Sequence, residues 1–166
     1  QSVQLVLRKG SDSGYPLTTM RVKLTVDSAR ATRELATSLA SQLRIGDLLL
    51  LEGPLGAGKT FFAQALAKAL GVQAEVTSPT FVMVKSYQGN VPINHIDAYR
   101  LLDLENSRQA FDELDIDVEN SLTIVEWGKD FDVTGSALHI KFEIGEGEER
   151  SLTIEGADAR WGQLKL

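Results

Sequence analysis

The chain has 166 residues, enough for one domain with a sizeable core. Lys plus Arg is 17 against 23 Asp plus Glu, so the net charge is −6, which argues against independent binding to bare nucleic acid. With no cysteine and two histidines, disulfides and a thiolate or His-based metal site are not expected. No apolar run approaches membrane-spanning length and no secretory h-region opens the chain, so a cytoplasmic protein that does not engage the membrane is expected.

Val3 to Leu7 reads as a short strand, and Lys9 to Pro16, rich in Gly, Ser and Asp, as a loop. Met20, Val22, Leu24 and Val26 alternate as a half-buried strand; the pattern leaves open whether Gln1 to Leu7 pairs with it. Residues 1–19 are taken as an N-terminal extension of unknown role and residues 20–166 as a single domain. Asp27 or Ser28 caps a helix from about Ser28 to Leu43, with Leu35, Ala36, Leu39, Ala40 and Leu43 at helical spacing. Gly46-Asp47 then turns the chain into Leu48 to Glu52, a leucine run suited to a central strand covered on both faces.

That strand runs into Gly53-Pro54-Leu55-Gly56-Ala57-Gly58-Lys59-Thr60, which fits G-x-x-x-x-G-K-[ST]. A helical pattern, Phe61 to Leu70, runs out of it, with Gly71 as its C-terminal stop. This strand–loop–helix is the setting of a phosphate-binding loop, and a chance glycine-rich turn is the poorer explanation. Glycines let the backbone approach an anion closely, and the helix N-terminus adds unpaired N–H groups and a positive dipole end. The backbone N–H groups of Gly56, Ala57, Gly58, Lys59, Thr60 and Phe61 are the expected donors. Lys59 is expected to reach the β- and γ-phosphates, and the Thr60 hydroxyl to ligate Mg²⁺.

Val76 to Thr80 contains Ser78-Pro79 and reads as a loop bearing hydroxyls. Phe81 to Tyr87 and Val91 to Ile96 flank Gln88-Gly89-Asn90 as a β-hairpin. Leu101 to Leu114 reads as one or two short helices, and the acidic run Asp112 to Glu119 as a solvated face. Leu122 to Val125 is a second short buried strand, and Ala137 to Ile144 with Arg150 to Glu155 a last hairpin. The expected fold is α/β: a P-loop NTPase-like three-layer domain with a mixed sheet and antiparallel hairpins.

A phosphate-binding loop works with a carboxylate at the end of a neighbouring strand. Glu126 follows one apolar run and Asp97 another. For Glu126 the residues support Mg²⁺ ligation or orientation of an attacking water; for Asp97 a site role and a plain strand-end acid are equally supported. Trp127 is in first instance a packing residue beside Glu126, His95 a structural histidine, and Thr80 a turn hydroxyl in a loop placed to sense a γ-phosphate. Lys85 and Arg100 are possible phosphate or partner contacts.

GPLGAGKT, then SPTF at Ser78 to Phe81, HIDAYRL at His95 to Leu101 and VEW at Val125 to Trp127 occur in this order. In them the chain resembles the TsaE (YjeE) family over about Val26 to Arg150. The resemblance implies an ATPase that binds ATP and Mg²⁺ and serves tRNA threonylcarbamoyladenosine formation. Its implied partners are TsaD and TsaB, with tRNA met only through that complex, and its ATP hydrolysis supports repeated turnover. It further implies that Thr60 and Glu126 hold Mg²⁺ with Asp97 beside them, that Lys59 binds phosphate, and that Thr80 lies in a switch-like loop. Trp127 would lie close to nucleotide and partner, and Asp27, Thr32 and Arg150 on the nucleoside side. Pro54 departs from the Asp that many members carry after Gly53. A small-molecule kinase is the competing enzyme class, with Asp97 and Arg100 as imitations of its acid and lid arginine, but no Arg-rich lid segment is present. A GTPase lacks its N-K-x-D. A third class is a nucleotide-gated binding protein whose ATP controls docking.

Overall fold

In the computed structural model, residues 4–5, 8–9, 18–77, 79 and 83–166 are described. The sheet grows outward from β4 (Leu48–Glu52). Side chains alternate along a strand, so its leucines divide between two faces. Leu49 and Leu51 join Phe62, Leu66, Ile124 and Ile140 in one core. Leu48 and Leu50 join Ile96, Phe111, Val125 and Phe131 in the other. All four are buried, as expected of a strand covered on both sides.

On one side β4 pairs parallel with β7 (Leu122–Glu126), which pairs parallel with β6 (Pro92–Asp97). β6 is joined antiparallel by β5 (Val84–Gln88). On its other side β4 pairs parallel with β8 (Leu138–Ile144). There the hairpin of β8 and β9 (Arg150–Gly156) begins an antiparallel half, continued by β3 (Thr18–Val26). Two short strands, β1 (Gln4–Leu5) and β2 (Arg8–Lys9), pair antiparallel with β3, which answers the pairing question the sequence left open. Among the described residues the order is β1-β3-β9-β8-β4-β7-β6-β5, with β2 also on β3. The sheet is mixed and the architecture α/β, as expected.

Helix α1 (Ala29–Ala40) starts where the Ser28 hydroxyl accepts a hydrogen bond from the Ala31 N–H, satisfying one of the free amides of the first turn. It ends short of the expected Leu43, because Ser41 and Gln42 turn their side chains onto the Ser38 carbonyl. Helix α2 (Lys59–Ala69) begins within the glycine loop, two residues earlier than expected. Both helices pack on the Leu49/Leu51 face.

The opposite layer is thinner. Of the one or two short helices expected over Leu101 to Leu114 one forms, α3 (Ser107–Asp112), preceded by a 3₁₀ turn, Tyr99–Leu101. Phe111 of α3 stacks on Phe131 at 4.7 Å. Along the acidic run the acids are exposed, while Leu114, Ile116 and Val118 between them pack on the core. This layer covers β4, β6 and β7; the same face of β3, β9 and β8 carries polar pairs such as Arg21–Glu155 instead. The strand expected over Phe81 to Tyr87 is seen from Val84; Phe81 and Val82 lie outside the described residues. No described helix is long and apolar enough to cross a membrane.

The C-terminal 3₁₀ segment, Ala159–Gln163, carries no periodic signal in the sequence. Trp161 is buried in the α1/α2 core with its indole N–H on the Ser136 carbonyl, and Arg160 reaches the buried Asp47 carboxylate at 2.7 Å.

Leu50→Ala is expected to lose about 2–5 kcal/mol in urea unfolding, because the packed face around β4 cannot collapse onto the void. Leu55→Ala, at a position 87% exposed, should stay within about 0.5 kcal/mol of wild type.

Candidate functional site

Three parallel strands end side by side. In the register of β6 and β7, Asp97 lies opposite Glu126; in that of β7 and β4, Glu126 lies opposite Leu51. Glu126 shares the face of Leu122 and Ile124, and Asp97 that of Ile93, so both carboxylates point toward α2. The chain leaves β4 through the glycine loop and enters α2, whose first residues are Lys59 and Thr60. The topology thus delivers two acids, a lysine and a hydroxyl to one point.

The Thr60 hydroxyl donates to Glu126 Oε1 at 2.6 Å. The other carboxylate oxygen, Oε2, stands 2.6 Å from His95 Nε2. Glu126 is only 3% exposed, yet each oxygen has a partner. Asp97 Oδ1 accepts from the Tyr99 N–H at 3.0 Å, which fixes its orientation at the strand end. Lys59 Nζ donates to the carbonyls of Gly53 (2.6 Å) and Pro54 (2.9 Å) and lies 3.9 Å from the centre of the Trp127 ring. Burial pushes the Lys59 ammonium below its ordinary value of 10.5, against the opposing pull of the Glu126 and Asp97 charges. Trp127 holds a left-handed backbone, φ 60°, which costs a bulky residue about 1–2 kcal/mol. Its indole packs on Tyr99 with ring centres 5.0 Å apart.

A cavity of about 480 Å³ opens over these groups, lined by Gly56, Gly58, Lys59, Thr60, Phe61, Asp97, Tyr99, Glu126 and Trp127 among others. Gly56 and Gly58 have φ of 78° and 101°, and a Cβ on either would point into open space, so backbone forms the cradle. The Ala57 N–H is already given to the Pro54 carbonyl at 3.1 Å, so one of the six expected amide donors is engaged within the loop. The first-turn amides of α2, which begins at the end of the loop, have no intrahelical acceptors. Such a cradle suits an anion. The oxygen pair Thr60 Oγ1 and Glu126 Oε1 suits a hard divalent cation that takes one or two protein oxygens and completes its shell with phosphate and water. No group of three or more His, Asp or Glu side chains placed to hold a metal by itself occurs among the described residues.

The remaining expected residues fall into other places. A second cavity of about 210 Å³ lies behind the loop, lined by Thr32, Ala57, Gly58, Phe61, Phe142 and Arg150 among others. Thr32 donates to the Ser28 carbonyl, and Arg150 to the carbonyls of Gly147 and Glu149. Asp27 lines neither cavity; it is exposed and accepts from the Ser28 hydroxyl at 3.0 Å. Gly53 turns to the far side, where its backbone abuts Phe142 so closely that a Cβ would meet the Phe142 carbonyl at 2.7 Å. Thr80 lies outside the described residues. Two residues gained a place that the sequence reading did not give them. Tyr99 lines the main cavity, and His95, read as structural, touches Glu126. The strand period held the signal for His95: two residues before Asp97 means the same face.

The family model described as "Threonylcarbamoyl adenosine biosynthesis protein TsaE" matches residues 26–152. The tRNA threonylcarbamoyladenosine biosynthesis protein TsaE of Streptomyces coelicolor is 40% identical over 138 residues, covering 78% of this chain and 93% of that protein. The protein of the same name from Bacillus subtilis is 34% identical over 136 residues, covering 80% and 84%. A crystal structure of Bacillus subtilis YdiB superposes with a TM-score of 0.70 at 28% identity, covering 88% of this chain and 92% of that one. The fold is therefore P-loop NTPase-like, as its glycine loop predicts, and the match runs from the end of β3 into β9, through every element that builds the cavity. By sequence along most of its length and by the way its strands are laid, the chain is a member of the TsaE family of tRNA threonylcarbamoyladenosine biosynthesis proteins.

Proposed function

We propose that the protein binds ATP with Mg²⁺ and hydrolyses it in support of repeated rounds of threonylcarbamoyl transfer to tRNA by TsaD and TsaB. The observation that carries the ATPase reading is the meeting of the Lys59–Thr60 helix start with the Glu126 carboxylate beneath an open glycine cradle.

In this reading the triphosphate lies along the cradle, with its β- and γ-phosphates against the amides of Gly56, Gly58, Lys59, Thr60 and Phe61 and the remaining amide of Ala57 shaping the loop. Lys59 exchanges a carbonyl for a phosphate oxygen, which its position over the loop makes a short movement. The Thr60 hydroxyl and Glu126, with Asp97 beside them, would hold Mg²⁺, which would supply positive charge to offset that of the phosphates. Glu126 and Asp97 are the acids placed to orient a water for in-line attack. Thr32 and Arg150, lining the cavity behind the loop, take the nucleoside side. Trp127 closes the cavity over Lys59. Asp27 is exposed and lines neither cavity, and its nucleoside-side role rests on the family motif alone. Thr80 keeps the switch-loop role that its motif implies.

Among the described residues that line the cavity there is no arginine, so the charge that develops on the phosphoryl oxygens is only partly met. Exposed apolar side chains gather at the mouth: Leu55 on the loop tip and Tyr99 at 55% exposure. A neighbouring cavity of about 660 Å³ shares Trp127 and adds Leu102 and Ile144. A partner seated there would complete the site, which fits TsaD and TsaB as the partners, a cytoplasmic setting, and tRNA reached only through them.

ATP hydrolysis is expected to be weak for the protein alone and faster with TsaD, TsaB and unmodified tRNA, within the roughly 10³–10⁵-fold range a supplied transition-state charge gives. Equal rates alone and in the mixture would sink the partner-completed site, and transfer of phosphate to a small acceptor would favour a kinase. Glu126→Gln should lower kcat by about 10²-fold or more while leaving nucleotide affinity measured without Mg²⁺ within a few-fold.

The depressed Lys59 pKa sets a pH dependence. Between its folded value and 10.5 the unfolded chain binds the extra proton, so this group makes stability rise with pH over that window. Lys59→Met removes the buried charge. In the nucleotide-free protein it should melt at or above the wild-type temperature near neutral pH, with the difference shrinking as pH climbs toward 10.5, and it should lose ATP binding. A lower melting temperature at neutral pH would mean that the hydrogen bonds to Gly53 and Pro54 outweigh the cost of burial.

A further inference from the structure

We propose that His95 is a positioning residue for Glu126: it pins one carboxylate oxygen so that only the other is offered to the reaction centre. The inference rests on the role given to Glu126 above.

His95 is 1% exposed on β6, and its Nε2 lies 2.6 Å from Glu126 Oε2. Its Nδ1 has no hydrogen-bond partner among the described residues. A buried N–H without an acceptor costs more than a buried lone pair without a donor, so the proton sits on Nε2 and is donated to Glu126. The bare Nδ1 also separates the two explanations for this side chain. A phenyl ring would fill much the same space with no polar atom left over, so what the imidazole adds is the bond to Glu126.

That bond matters because the last torsion of a glutamate is soft. Thr60 holds Oε1 and His95 holds Oε2. If the Thr60 hydroxyl turns to a cation, Oε1 is freed while Oε2 stays fixed. The carboxylate then presents a single oxygen in a set plane, as the outer partners of metal-binding carboxylates do. Without His95 the group is free to rotate and to offer either oxygen.

The test uses side-chain geometry. Glutamine places an amide nitrogen the same number of bonds from Cβ as Nε2, asparagine only reaches the Nδ1 position, and phenylalanine has no donor. His95→Phe and His95→Asn are expected to lower kcat of partner-stimulated ATP hydrolysis by about 10–100-fold, with ADP affinity in the absence of Mg²⁺ unchanged by calorimetry. His95→Gln should recover most of kcat. The gain in ADP affinity on adding Mg²⁺ should shrink in the Phe and Asn variants and return in the Gln variant, a readout independent of turnover. Full kcat and a full Mg²⁺ gain in His95→Phe, or no recovery in His95→Gln, would overturn the inference. Glu126→Gln is the control: if it keeps full activity, the role of Glu126 falls first; if it loses activity while His95→Phe keeps it, only the positioning role falls. Should the variants not fold, the wild-type chain decides. Its imidazole Nε2–H should give a slowly exchanging downfield proton resonance that moves in Glu126→Gln, and absence of that resonance overturns the hydrogen bond.

Discussion

Everything near the cavity depends on burying both faces of β4. A strand flanked by parallel neighbours on both sides has no edge, and its leucines fill two cores at once. Its exit is thereby fixed: the backbone must turn at Gly53 within reach of the Phe142 carbonyl and feed α2 across the sheet end. Because β7 and β6 run the same way, their ends arrive at the same place with Glu126 and Asp97. Shifting β7 by one residue would turn Glu126 to the opposite face, away from Thr60. The geometry of the cavity is here a by-product of hydrophobic register.

The same point concentrates charge in a dry place. Two acids, one ammonium and one imidazole are all nearly buried. Each carboxylate has partners, and Lys59 is held by carbonyls and by the face of an indole. The ammonium still pays for its burial, as its lowered pKa shows. A site arranged in this way is poised to receive strong anionic acceptors, because a phosphate would offer Lys59 more than two carbonyls do. The strained backbone of Trp127 belongs to this arrangement: the left-handed turn is what lets the chain leave β7 and still lay its indole across the lysine.

Local sequence carried most of the frame. The leucine run, the glycine loop and the amphipathic helices each state their structure within a dozen residues, and the acids at strand ends could be picked out because an apolar run precedes each. Long-range facts were not legible. Nothing near Trp161 says that it fills a core beside α1 and α2, or that Arg160 pairs with Asp47 across the chain. The pairing of Gln4–Leu5 and Arg8–Lys9 with β3 lacks a pattern long enough to declare it. A lone histidine such as His95 is usually structural, and only the β6–β7 register shows which acid it meets. Asp27 shows the converse: proximity in sequence to α1 did not bring it to a cavity.

The seam along β4 also bears on the order of assembly. The β5–β6 and β8–β9 hairpins close over short loops, whereas Leu50 must find Val125 and His139, far along the chain. Loop-closure entropy makes such distant pairing slow, so hairpins are favoured early and the central parallel strands late. The ends of those late strands are the cavity itself. Substitutions in the two hairpins should therefore give higher φ-values than substitutions in β4 and β7. A ligand that bridges the glycine loop and Glu126 would then act chiefly as a brake on unfolding, holding together the part of the molecule that assembles last and separates first.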